Sequence, residues 1–102
     1  MAFVNGPVAE CFEREVTASP AEFERDLRKA SPCAVETVAP HHFRLCVGPT
    51  RLDIHVVPRG VRRLGILQLQ TLSVRYEFFG GTESDRRALL VPLDRAMQRG
   101  GG

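Results

Sequence analysis

From residue 34 to 79 the apolar residues follow a period of two, clearest in three stretches. This period of two constrains the chain more than any other feature, because successive side chains of a strand point to opposite faces. "HFRLCV" sets Phe43, Leu45 and Val47 against Arg44 and Cys46. "RLDIHVV" sets Leu52, Ile54 and Val56 against Asp53 and His55, and "TLSVRYEFF" puts Leu72, Val74, Tyr76 and Phe78 on one side. The pattern reads as one sheet with an apolar face and a polar face. "GPT" at 48–50 is a turn signal, and "PRG" at 58–60 is expected to close the next hairpin. "RRLGILQLQ" then reads as a weaker strand whose apolar positions change phase after Gly65, which predicts a bulge there. A shorter strand near Val35–Val38 also fits. Connections this short join antiparallel neighbours, so the segment is a meander.

Two stretches carry the helical period instead. In "SPAEFERDLRKASP", Ser19 is placed to cap a helix, Pro20 suits its first position, and Glu22 completes a capping box. Phe23, Leu27 and Ala30 form its apolar stripe, Arg28 and Lys29 sit at its negative end, and Pro32 stops it. Near the C-terminus, Thr82 is a cap with Asp85 as partner, and Leu89, Leu93, Ala96 and Met97 form a second stripe. Pro92 inside it predicts a kink, or a break and restart. Before the first helix, "CFEREVTA" alternates Phe12, Arg14 and Val16 as a strand does.

The order is strand, helix, four or five strands, helix. It predicts an α+β fold: a curved antiparallel sheet of about 4–6 strands with both helices on one face. That order is similar to the order of small helix-grip domains, in which a sheet wraps a C-terminal helix. The chain of 102 residues is one domain, with residues 1–9 as a loose lead-in and 100–102 as a flexible tail. Gly100 would follow the last helical turn as a cap. A terminal diglycine also ends carrier proteins that are adenylated there, but their tail leaves a strand, whereas this one follows a helix.

Apolar residues make up 43% and charged residues 25%, the balance of a globular protein, and no apolar run reaches the ~20 residues of a membrane helix. The N-terminal stretch lacks the basic and apolar regions of a signal peptide. Cys11, Cys33 and Cys46 are odd in number and read as free thiols of a cytosolic protein.

Charge is uneven. Residues 41–63 carry Arg44, Arg51, Arg59, Arg62 and Arg63 against Asp53 alone. With His55, these arginines are the candidates for contact with an anion or an acidic partner. Neither a phosphate-binding glycine loop nor a set of stacking aromatics accompanies them, so nucleic acid ranks behind a protein partner. Pairing residues whose numbers sum to 99 matches the apolar alternation of the 42–57 hairpin. Leu45 then opposes Ile54, Phe43 opposes Val56, Cys46 opposes Asp53 and Arg44 opposes His55. A thiol, an imidazole and a carboxylate would share one patch, the company a cysteine nucleophile needs. The flat sheet offers no oxyanion hole, so no catalytic residue is assigned. His41 and His42 are adjacent on a strand, so at most one can join His55 and Cys46. No converging metal set and no cofactor are expected. Leu67, Leu69 and Phe79 fall off the main apolar stripe and are the candidates for an interface. The sequence thus points to a binding or accessory module acting through a protein partner or a homo-oligomer. A small-ligand or anion site between the sheet and the last helix is the alternative, and a cysteine-dependent enzyme is a remote third.

Overall fold

A computed structural model describes residues 8–99 of the chain. Its elements are β1 (Cys11–Thr17), α1 (Pro20–Ala30), β2 (Glu36–Ala39), β3 (His42–Val47), β4 (Thr50–Leu64), β5 (Leu67–Phe79) and α2 (Glu83–Arg99). The strands form one antiparallel sheet in the order β1-β5-β4-β3-β2. Strands β2 to β5 are a meander, and β1 adds to the free side of β5. The expected α+β architecture is therefore present, with both helices on the apolar face. The expected tail and its Gly100 cap lie outside the described residues.

That face carries Val16, Phe43, Leu45, Leu52, Ile54, Val56, Leu72, Val74, Tyr76 and Phe78, all buried. Phe23 and Leu27 of α1 and Leu89, Leu90, Leu93 and Met97 of α2 cover it in one core. Ser19 and Glu22 form the capping box expected of them, with Glu22 N–H donating to Ser19 Oγ and Ser19 N–H to Glu22 Oε1. Arg28, at the end of α1, donates to Val35 O and Thr37 Oγ1 and so ties the helix to β2. Thr82 N–H donates to Asp85 Oδ2 and Asp85 N–H to Thr82 Oγ1, which starts α2. At the N-terminal side, Val8 is buried, its N–H donates to Glu83 Oε2, and its carbonyl accepts from Arg86 Nε.

Three expectations give way. First, α2 runs through Pro92 as one helix, so of the expected kink or break the break and restart does not occur. Ala88, whose carbonyl loses its partner there, is exposed, as is Pro92, so the loss falls on the solvent side of the helix. Second, "PRG" does not close a hairpin. β4 continues past it to Leu64, and the turn is Gly65-Ile66, with Leu64 opposite Leu67. The bulge sits instead at Pro58/Gly60, where Gly60 takes φ +103°. Turn and bulge ask for the same residue types, so "PRG" and "LGI" exchange roles. Val56 N–H reaches across to His41 O, and two residues on, Pro58 faces the same edge beyond the end of β3. No ladder bond is lost there. Third, β3 and β4 pair with numbers summing to 97: His42 opposite His55, Arg44 opposite Asp53, Cys46 opposite Arg51. The two-residue Gly48-Pro49 turn, with Gly48 at φ +55°, sets this register. A slide of two leaves every side chain on its face, so apolar alternation cannot detect it.

Candidate functional site

The polar face of the sheet is built in cross-strand rows. One runs Glu13, Arg75, His55, His42 from β1 to β3, and the next runs Cys11, Glu77, Asp53, Arg44, Glu36 out to β2. Residues directly opposite on neighbouring strands are in contact range, so these rows decide which charges meet. His42 joins the face because His41 is turned out of the strand at φ +62°.

Asp53 is the centre. It is buried although it lies on the polar face. Arg44 grips it through Nε at 2.9 Å and a terminal nitrogen at 3.2 Å, and His42 Nε2 lies 3.3 Å from its Oδ2. Arg51 Nε adds a longer ion-pair contact at 3.4 Å. Burial pushes the Asp53 carboxyl up, but the hydrogen bonds from Arg44 and His42 outweigh it and hold the group below the ordinary carboxylate range. The His42 and His55 rings stack with centroids 4.1 Å apart. His55 Nε2 is 3.1 Å from Glu77 Oε1, and Glu77 also pairs with Arg75. Beside His55 a shallow depression of about 260 Å³ is lined by Glu13, Val57, Arg59, Arg75 and Glu77.

The second feature is the far end of the β4–β5 hairpin. β1 reaches only to Thr71 of β5, and β3 only to His55 of β4. Beyond those residues the two strands continue to the Gly65-Ile66 turn as a ribbon that, among the described residues, has no strand partner on either edge. Ile66 is 100% exposed, and Val61, Leu64 and Leu67 are each more than half exposed.

The candidate residues divide between these two places. Arg44, Arg51 and His55 belong to the Asp53 cluster. Arg59, Arg62 and Arg63 lie on the ribbon, where Arg62 pairs with Glu15 of β1. Leu67 is near the ribbon tip, while Leu69 is half-buried in a trough beside Thr17, Ser19 and Glu22. Phe79 is at the other end of β5, with the Arg51 guanidinium 4.2 Å from its ring centroid. Leu67 and Phe79 are therefore about 40 Å apart along the strand and cannot share one contact patch. Cys46 stands opposite Arg51, four residues along β3 from His42, so no imidazole stands beside it as expected. Sequence reasoning missed Glu77 and the pairing of His42 with His55. Both follow from the register, and the Gly48-Pro49 turn was the signal for it.

No protein-family model matches the chain, and a comparison with characterised proteins finds no match either.

Proposed function

We propose that this chain is a small cytosolic binding module whose contact element is the β4–β5 ribbon, acting by self-association. The observation that carries the reading is the apolar ribbon end: Val61, Leu64, Ile66 and Leu67 are exposed together on a two-stranded element with open edges. Open edges and exposed apolar side chains are the two features that stable monomers suppress. Ribbon pairing with a second copy satisfies both at once, because strand edges hydrogen-bond while the side chains leave water. Arg59 and Arg63 add positive charge to the ribbon, while Arg62 is already held by Glu15 of the same chain.

Sedimentation at ~100 μM, well above the affinity of specific dimers, is the test. A dimer that Ile66→Asp with Leu67→Asp converts to a folded monomer is the expected result. A monomeric wild-type chain at that concentration removes self-association and leaves a heterologous protein partner for the same ribbon. The alternative of a ligand between sheet and α2 is the weaker reading, because Leu89, Leu90, Leu93 and Met97 already fill that layer. For an anion on the polar face, Glu13 and Glu77 oppose Arg59 and Arg75 within the same depression.

A further inference from the structure

Four metal-ligating side chains occupy adjacent register positions on the polar face. His42 is opposite His55, Asp53 is opposite Glu77, and Asp53 and His55 are alternate residues of β4. One ligand atom from each of His42, Asp53 and His55 lies within 4.8 Å of the others. We propose that His42, Asp53 and His55, joined by Glu77, form a binding site for a divalent transition-metal ion of the imidazole-preferring class, zinc foremost. This reverses the sequence expectation of no metal set, and it is independent of the ribbon.

The donor chemistry fits that class. Two imidazoles and a carboxylate are a donor set zinc accepts, with bonds of ~2.0–2.2 Å that place tetrahedral donors roughly 3.4 Å apart. His42 Nε2 and Asp53 Oδ2, at 3.3 Å, already stand at that spacing. His55 is the donor that must turn, and its side chain is 36% exposed, which gives it room. Glu77 lies outside that group of three, but its Oε1, 3.1 Å from His55 Nε2, can follow the ring in as a fourth donor. Asp53 and Glu77 face each other directly as like charges, which Arg44 and Arg75 already offset and a bound cation would offset further.

The arginines shape the selectivity. Arg44 fixes the plane of the Asp53 carboxylate through two hydrogen bonds, as outer partners of metal-binding carboxylates do. The positive charge of Arg44 and Arg51 opposes ions held by oxygen and charge alone, such as magnesium and calcium. Imidazole-bound ions, higher in the order of intrinsic affinity, are penalised less in proportion.

The test is a titration of the full, tag-free chain with zinc chloride, followed by calorimetry and by the imidazole signals in long-range proton–nitrogen spectra. One equivalent should bind and move the His42 and His55 signals together. His42→Gln and His55→Gln should each weaken binding at least tenfold, with His41→Gln and Cys46→Ser unchanged. Both test positions are partly exposed, and the wild-type ring shifts give a readout that does not depend on how the variants fold. The proposal is overturned if neither ring responds at ~1 mM zinc, or if binding survives in both glutamine variants. Equal ring shifts with magnesium would overturn the assignment to imidazole-preferring ions.

Discussion

Asp53, Tyr76 and Asp94 are buried against the sheet, and each meets an arginine there. Asp53 is held below its ordinary range, so its contribution to stability is complete above the unfolded-state value near ~4 and is lost as pH falls through the lower folded value. Urea midpoints should therefore drop below about pH 4 in the wild type and drop less in Asp53→Asn. Identical acid limbs for the two proteins would count against the Arg44–Asp53–His42 account. Tyr76 behaves in the opposite sense. Burial pushes its hydroxyl up to about 12, outweighing the attraction of Arg14, whose guanidinium lies 5.1 Å from the ring centroid. A folded value above the unfolded one means stability is lost as pH rises between roughly 10 and 12. Tyr76→Phe should flatten that alkaline limb. At neutral pH it should cost less than about 1 kcal/mol, because among the described residues the hydroxyl meets only a loose contact with Arg14 and no hydrogen bond of regular geometry. A steep alkaline limb retained in Tyr76→Phe would sink the assignment. Asp94, 2.6 Å from Arg14, completes this buried polar pair between β1 and α2.

Among the elements, α2 and the β4–β5 hairpin depart furthest from regular geometry. Pro92 sits inside α2, exposed, where it removes one helical hydrogen bond. Pro92→Ala restores the bond to Ala88 O and should stabilise the protein by about 1–3 kcal/mol, measured by thermal unfolding. A loss of stability would mean that the proline shapes how α2 lies on the sheet. In the hairpin, the bulge at Pro58/Gly60 divides a strand anchored on both sides from one that is free. Because Gly60 faces Thr71, replacing residues 61–70 with Asn-Gly closes a shorter hairpin with an accepted two-residue turn. The shortened chain should melt within several degrees of the wild type and lose self-association. Global unfolding of that variant would show that the ribbon belongs to the folding core.

Over the whole molecule, one buried layer joins β1, β3, β4 and β5 to both helices, and the two faces of the sheet have separate work. The apolar face packs; the polar face arranges charge in rows. Much of this was legible in the chain. The period of two identified the core strands, the Ser19–Glu22 box started α1, and Thr82 with Asp85 started α2. These signals are local, because a cap or an alternating face is decided by residues within one turn or one strand. The sequence also put His55 and Asp53 on the polar side and allowed only one of His41 and His42 to join them. What it could not decide was contact across strands. A two-residue slide keeps every side chain on its face, so pairings summing to 97 and to 99 are equally good to the apolar pattern. Only the closed Gly48-Pro49 turn chose between them, setting His42 against His55 and taking Cys46 away from Asp53. In the same way "PRG" and "LGI" each suited a turn or a bulge. The choice fell to how far β4 and β5 pair beyond their neighbours, and the docking of β1 onto β5, 54 residues after its end at Thr17, left the ribbon free.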